Sequence, residues 1–405
     1  MARRVFLHVG LPKSGTTYLQ AVVGKNKSEL RERAGLLYPG ATWARQVDAV
    51  RDVRRMKLPP AQQKTVPGAW DRLVAEMRAW PSDALMSMEW LCMATAAQVV
   101  RIADDLADTE THVVFTVRDV GRTVPAAWQE FAQNRSTWRW PEFLEQVSSE
   151  QAMETEAGLA FWQQQDMELL LERWSALAPP ERLHVITLPQ SGADPAELWR
   201  RMAAVLGIDA EGYDLSDLGS NASLGMESAE LMRRINERLR GRGIGMPAYN
   251  NLFKHRLAKQ VLAARKAEES KVVLPAEYHD WARARADQQI RAIQASGAQV
   301  VGDLEDLRPR LDAAKAPARA VEPDPAAVLD AAVEALIPFV LDSRRRRGAP
   351  RRLAPAPAVP AAEPTTPGGP IARARHAVAE RVRGRSAKEL LLAAGRRVRP
   401  TTGAR

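Results

Sequence analysis

A cluster of small, hydroxylated and basic residues lies near the beginning of the sequence, in the segment Gly10-Leu11-Pro12-Lys13-Ser14-Gly15-Thr16-Thr17. Glycines in such a segment allow the backbone to curl so that several N–H groups point to one side. Thr16 and Thr17 add hydroxyl donors, and Lys13 adds a positive charge on a flexible stem. Together these groups are suited to binding a phosphate or a related oxyanion.

The elements on either side of this segment favour the same interpretation. Residues 3 to 9 form a short apolar run typical of a buried strand, and Tyr18, Leu19, Val22 and Val23 have helical spacing. The segment therefore connects a strand to the N-terminus of a helix, where the helix dipole attracts anions. The alternative is an ordinary strand-to-helix turn built from Gly, Pro and Ser.

The position of the lysine distinguishes this segment from a Walker A loop. In that motif the lysine directly follows the second glycine, whereas Thr16 occupies this position here and Lys13 precedes Gly15. A lysine inside the loop is placed to reach an oxygen between a phosphate and a group that is being transferred. The segment therefore does not favour a nucleotide-dependent kinase, and we retain a kinase only as an alternative function.

Three further apolar runs predict buried strands at residues 84–88, 112–117 and 183–188. Strands that alternate with helices indicate the α/β class, with a parallel sheet flanked by helices. Ligands of such sheets bind at the carboxyl ends of the strands. Beyond residue 219 the pattern is almost entirely helical, so we expect a helical C-terminal half. Between the strands, helices are predicted at 69–80, 94–106, 123–134, 159–177 and 196–206.

Two charged residues follow the ends of these predicted strands. Arg118 comes directly after residues 112–117, and its planar guanidinium suits bidentate contact with a phosphate; the alternative role is an ion pair with Asp119 or another carboxylate. Glu89 comes directly after residues 84–88 and is a candidate general base, the alternative being a solvated carboxylate. The six histidines have no metal-ligand spacing, and the single cysteine, Cys92, excludes a zinc site made of thiolates.

The run Pro-Lys-Ser-Gly-Thr-Thr closely resembles the 5′-phosphosulfate loop of the sulfotransferase family, in a bacterial-type member. The resemblance covers roughly residues 3 to 300 and implies a P-loop NTPase-like sulfotransferase fold. It implies a co-substrate, 3′-phosphoadenosine 5′-phosphosulfate, and no metal. It further implies that the phosphosulfate end of this donor is bound by Lys13, Ser14, Gly15, Thr16 and Thr17, with Lys13 stabilising the charge on the bridging oxygen.

The rest of the family pattern is present in part. Family members carry an arginine at a strand end and a serine eight residues later, both at the 3′-phosphate; Arg118 matches, and Ala126 stands in place of the serine. Glu89 resembles the catalytic glutamate of the heparan-type members. The resemblance thus implies that Lys13 and Glu89 transfer a sulfuryl group to a hydroxyl or amine of a carbohydrate, lipid or small molecule. Because of Ala126, a non-catalytic nucleotide-binding protein on the same fold is a second alternative.

The charge is distributed unevenly along the chain. The net charge is +9, but residues 344–405 carry sixteen Lys and Arg against three Glu, a net +13, so that residues 1–343 carry −4. We expect an α/β domain over residues 1–300, a helical extension over 301–343 and a disordered basic tail, rich in Pro, Ala and Arg, over 344–405. The tail is expected either to contact anionic lipid or nucleic acid or to be solvated.

The sequence also gives an expectation for the location of the protein. No apolar run approaches the ~18 residues of a membrane span, and the first residues lack the apolar core of a secretory signal. We therefore expect a cytoplasmic protein. Neither the acceptor nor the oligomeric state corresponds to a readable pattern in this sequence.

Overall fold

A computed structural model describes residues 3–218 and 223–348. The strands are Arg4–Gly10 (β1), Ala84–Ser87 (β2), Glu110–Val117 (β3), Leu183–Thr187 (β4) and Gln299–Val301 (β5). The helices before β4 are Thr16–Lys25 (α1), Lys27–Arg33 (α2), Trp43–Val53 (α3), Ala69–Ala79 (α4), Ala96–Asp105 (α5), Val120–Gln133 (α6), Trp140–Ser148 (α7), Glu156–Trp162 (α8) and Met167–Trp174 (α9). Those after β4 are Glu197–Leu206 (α10), Met226–Leu239 (α11), Met246–Tyr249 (α12), His279–Ser296 (α13) and Pro325–Gly348 (α14).

The five strands form one parallel sheet in the order β2-β1-β3-β4-β5. Val5 of β1 is in register with Ala84 on one side and with Thr111 on the other. The chain order changes direction between β1 and β3, because β2 lies outside β1 and the later strands lie outside β3. Such a switch point leaves a crevice at the carboxyl ends of the two central strands, where α/β proteins bind ligands.

Alternating residues of the central strands pack on opposite faces of the sheet. Val5, Leu7 and Val9 of β1 belong to a core beneath α3, α4, α5, α9 and α13. Phe6, between them, belongs to a second core with residues of α1 and α10. Both faces of the sheet are thus covered by helices, which is why its strands are apolar without a polar alternate face.

The helical part that follows α10 has its own apolar core, shared with α6, α7 and α8. The connection from α12 is irregular, because a π-helical stretch over Asn250–Val261 is followed by a 3₁₀ stretch over Leu262–Ala267. This stretch packs on α6 and α11 through Leu257, Ala258 and Leu262. The C-terminal half therefore forms a wall beside the carboxyl edge of the sheet.

The predicted fold class, a parallel sheet flanked by helices with a helical C-terminal half, is confirmed. The prediction of one helix over 159–177 is wrong, because α8 ends at Trp162 and α9 starts at Met167. The Asp166 side chain accepts a hydrogen bond from the Leu169 N–H and so caps the start of α9, an arrangement that favours a new helix over continuation of the old one. Strand β5 was not predicted, and it spans the predicted domain boundary at residue 300.

The chain up to Arg344 forms one compact unit. Residues 349–405, which include most of the tail predicted to be disordered, lie outside the described residues. Across residues 3–218 and 223–348, no helix is both long enough and apolar enough to cross a membrane.

Candidate functional site

The loop between β1 and α1 has a backbone that its glycines make possible. Gly10 has φ of +126° and Gly15 has φ of +88°, values in the region that side chains disfavour. A Cβ at Gly10 would also lie 3.2 Å from the Glu89 carbonyl oxygen, so the loop passes directly over the end of β2. Lys13 also has a positive φ, of 69°, and α1 starts directly after Gly15.

Ser14 fixes this loop to the sheet. Its hydroxyl donates to the Leu11 carbonyl at 2.5 Å and lies 2.6 Å from the Thr116 hydroxyl of β3. Thr116 in turn lies 3.2 Å from the Nε2 atom of His8, a buried histidine of β1. The Ser14 side chain is buried here and does not line the cleft described next.

A cleft of about 1740 Å³ opens at the carboxyl ends of the central strands. Apart from Ser14, the residues predicted to form the site all line it: Lys13, Gly15, Thr16, Thr17, Glu89 and Arg118. They come from three different segments of the chain, which follow β1, β2 and β3 respectively. The sheet therefore brings together the groups that the sequence placed at separate strand ends.

Lys13 has a partner that the sequence did not indicate. Its Nζ atom lies 2.5 Å from Oε2 of Glu130, which lines the same cleft from α6. Burial by itself would raise the pKa of the Glu130 carboxyl, but the charge and hydrogen bond of Lys13, together with the charge of Lys254 and a hydrogen bond from Asn134, outweigh burial and lower it. Glu130 lies one helical turn beyond Ala126, which also lines the cleft. This i, i+4 spacing puts the two residues on one face of the helix, and it is the sequence signal that could have identified Glu130.

Glu89 lies at the end of β2, where it starts a short 3₁₀ turn. Its Oε2 atom accepts a hydrogen bond of 2.8 Å from the Gln20 amide of α1. Burial raises the pKa of the Glu89 carboxyl, and this effect outweighs the hydrogen bond from Gln20. The two cleft glutamates thus differ: Glu130 is held ionised by Lys13, and Glu89 is a stronger base than an ordinary carboxylate.

Arg118 lies where β3 ends, and one of its terminal nitrogens donates to the Lys13 carbonyl at 3.3 Å. Asp119 is engaged by the Arg122 guanidinium instead, and none of the carboxylates in the described ranges forms an ion pair with Arg118. Burial and the nearby charge of Arg122 lower the pKa of Arg118 to about 10. The alternative role for Arg118, an ion pair at a strand end, is not what the structure contains.

Several buried polar atoms along the cleft have no hydrogen-bond partner among the residues that the structure describes. Three of them belong to side chains that line it: Nε of Arg118, Nη2 of Arg122 and the hydroxyl of Tyr18. Buried polar atoms without a partner are costly. Because these atoms lie along one cleft, we expect a polar ligand to supply their hydrogen-bond partners.

Basic residues of the C-terminal half also line the cleft, and the sequence had given them little weight. The group comprises Lys254, Lys259, Lys266, Lys271, Arg310 and Lys315. The Lys254 ammonium donates to the Asn134 side chain at 2.6 Å. No group of three or more His, Cys, Asp or Glu in residues 3–218 and 223–348 is arranged to hold a metal ion.

Comparison with known proteins adds little to this geometry. No family model matches the chain, and no curated protein matches it. Among solved structures, a sulfotransferase from Alicyclobacillus acidocaldarius is similar at a TM-score of 0.36 and 16% identity, over 55% of this chain and 88% of that one. A likeness at this level supports no inference about the site.

Proposed function

We propose that the protein transfers a sulfuryl group from 3′-phosphoadenosine 5′-phosphosulfate to the hydroxyl of an acceptor. The observation that carries the proposal is the convergence of the Gly10–Thr17 loop, Glu89 and Arg118 on one cleft at the switch point of the sheet. These are three groups that the reaction requires: an oxyanion cradle with a mobile cation, a base, and a second anion-binding group.

The groups that line the cleft fit the charge of this donor. The start of α1, together with Thr16 and Thr17, offers N–H and hydroxyl donors for the phosphosulfate end. The unpartnered nitrogens of Arg118 and Arg122 are suited to the 3′-phosphate. In this assignment Arg122 of α6 compensates for the serine that Ala126 replaces.

The residues have distinct roles in the transfer. The donor supplies a sulfur atom bonded to an oxygen that can leave as part of a phosphate. The acceptor oxygen forms a bond to sulfur while the bond from sulfur to the bridging oxygen breaks, and the electron pair of that bond remains on the bridging oxygen. Lys13 stabilises the resulting negative charge, and Glu89 accepts the acceptor's proton.

The raised pKa of Glu89 is consistent with the role of base. A carboxylate of ordinary pKa is too weak to draw a proton efficiently from a hydroxyl, and catalysis improves as the pKa of the base approaches the working pH. The buried Tyr38 hydroxyl lines the cleft too, and burial, with a further contribution from the charge of Glu89, raises its pKa. We place the acceptor hydroxyl beside these two side chains.

The test combines binding and turnover. Adenosine 3′,5′-bisphosphate should raise the melting temperature by several degrees, whereas ATP with magnesium should not. With radiolabelled donor and a panel of sugars, lipids and phenols, Lys13→Ala should reduce kcat by about 100-fold or more, and Lys64→Ala, an exposed lysine outside the cleft, should not.

The outcomes distinguish the sulfotransferase from the kinase and from the non-catalytic nucleotide-binding protein. Stabilisation by ATP with magnesium alone would favour the kinase. Tight bisphosphate binding without transfer to any acceptor would favour the non-catalytic alternative. Full activity of Lys13→Ala would overturn the role of the loop.

A further inference from the structure

Four lysines that line the cleft, Lys254, Lys259, Lys266 and Lys271, form what we call the lysine wall. They come from an irregular part of the C-terminal half. Lys254 and Lys259 lie in the π-helical stretch Asn250–Val261, and Lys266 and Lys271 follow it. In a π-helix each N–H bonds to the C=O five residues before it, so residues five apart lie closer to the same side than they do in an α-helix. In an α-helix the same two lysines would diverge around the axis. The π-helical winding thus directs Lys254 and Lys259 to the same side, and both line the cleft.

Three lysines of this wall are exposed and have no ion-pair partner in the described part of the chain: Lys259, Lys266 and Lys271. Basic residues elsewhere in the molecule are commonly paired, as Arg200 is with Asp194 and Glu197. Exposed, unpaired charges of one sign around a cleft attract ligands of the opposite charge.

The charge of the cleft exceeds what the proposed donor needs. Ten Lys and Arg side chains and four Asp and Glu side chains line it, within the described ranges. The donor brings about four negative charges, since a phosphate monoester carries nearly two at neutral pH and each of the other groups about one. A surplus of positive charge is left with the donor bound, and the unpaired lysines provide it.

The remaining lining residues indicate the kind of anion. Trp43, at 45% exposure, is the one exposed large apolar side chain in the described residues that lines the cleft, and Trp90 lines it nearby in the 3₁₀ turn after Glu89. The amides of Gln163 and Gln164 also line it. Aromatic rings pack against the C–H face of a sugar, and amides bind its hydroxyls.

We propose that the acceptor is an acidic oligosaccharide, whose reacting hydroxyl lies at Glu89 and whose carboxylate or sulfate groups lie along Lys259, Lys266 and Lys271. This inference rests on the proposed function, and it adds the class of acceptor. It assigns the lysine wall to the acceptor, and it assigns Lys13, Arg118 and Arg122 to the donor.

The experiment measures both ligands on the full-length protein. Binding of adenosine 3′,5′-bisphosphate is measured first by calorimetry. With the bisphosphate at saturation, a hexasaccharide that contains glucuronate is then titrated, in parallel with the same hexasaccharide after reduction of its carboxylates to alcohols. The test variant is Lys259→Gln/Lys266→Gln/Lys271→Gln. The control is Lys57→Gln/Lys64→Gln, two exposed lysines outside the cleft.

We expect the triple variant to bind the acidic hexasaccharide about tenfold more weakly, because each exposed contact contributes modestly, and to bind the bisphosphate as the wild type does. The wild type should prefer the acidic over the reduced hexasaccharide, and this preference should decrease as salt is added. The control variant should match the wild type in each titration.

The titrations distinguish failure of the acceptor inference from failure of the proposed function. Weaker bisphosphate binding by the triple variant would assign the lysine wall to the donor and overturn the inference. Equal binding of the two hexasaccharides, or no binding of either, would also overturn it, as would lysine-dependent binding of anionic vesicles or single-stranded DNA in place of the sugar. Absence of bisphosphate binding in the wild type would overturn the proposed function itself.

Discussion

Removal of the negative charge at Glu130 should tighten binding of the donor product. In the structure the Lys13 ammonium is held 2.5 Å from the Glu130 carboxylate. A phosphosulfate or a 5′-phosphate in the loop needs the same ammonium, so it has to compete with Glu130. The substitution Glu130→Gln keeps the shape of the side chain and removes its charge.

The size of the effect follows from the exposure of the pair. The two side chains are 29% and 40% exposed, so water screens their attraction and the pair contributes about 1 kcal/mol or less. Release of Lys13 from this pair should lower the Kd for adenosine 3′,5′-bisphosphate about three- to fivefold. Because Lys13 holds the pKa of Glu130 below its usual range, the carboxylate stays charged near neutral pH. The gain should therefore be constant between about pH 6 and 8.

Calorimetric titration with adenosine 3′,5′-bisphosphate measures this effect directly. Glu130→Asp, which retains the charge on a shorter stem, and Glu150→Gln, an exposed residue outside the cleft, serve as controls. A higher Kd for Glu130→Gln would refute the reasoning, because it would show that Glu130 holds Lys13 in its binding position instead of competing for it. An unchanged Kd would show that Lys13 does not contact the 5′ end of the ligand.

Gly10→Ala should lower the free energy of unfolding by about 1–3 kcal/mol, since Gly10 has φ of +126° and a Cβ there would lie 3.2 Å from the Glu89 carbonyl oxygen; an unchanged urea midpoint would contradict this. Arg118→Ala should weaken binding of adenosine 3′,5′-bisphosphate about tenfold, and a calorimetric Kd equal to that of the wild type would place the 3′-phosphate elsewhere. His112 and His184 lie with ring nitrogens 2.9 Å apart, and burial lowers the pKa of both, to about 4 for His184. The unfolded chain takes up protons at these residues below about pH 6.5 while the folded chain does not, so stability should decrease as the pH falls from there. In His184→Gln the decrease in urea midpoint between about pH 7 and 5 should be smaller; a decrease as steep as that of the wild type would exclude this pair as its source.

The four longer strands were predictable because each is buried on both faces. A parallel strand covered by helices is a continuous apolar run, as residues 112–117 are, and it contrasts with its polar flanks. Strand β5 gave no such signal, since Gln299–Val301 is three residues long and partly exposed. The break between α8 and α9 was missed because Gln163 to Gln165 suit a helix locally, and only the cap at Asp166 separates the two helices.

The loop between β1 and α1 was also readable, because the anion-binding role proposed for it depends on residues adjacent in the sequence. A curled backbone, a helix N-terminus and a lysine within eight residues form a local unit. Glu89 and Arg118 were identified as candidates because each follows a strand end of a parallel sheet, where ligands bind, and because each matches a position in the sulfotransferase pattern that the sequence resembles. The prediction that Ser14 contacts the donor remains to be tested, and in the structure its hydroxyl joins Leu11 and Thr116.

The sequence by itself thus determined the class of fold and indicated the loop for which we propose anion binding, since both depend on periodicity and on neighbouring residues. The tertiary structure decided which distant side chains share the cleft. It paired Lys13 with Glu130, left nitrogens of Arg118 and Arg122 without partners, and placed the lysines that follow residue 250 along the same cleft as the loop. These contacts join residues more than a hundred positions apart, and the packing of helices on the sheet brings them together, which no local pattern of residues encodes.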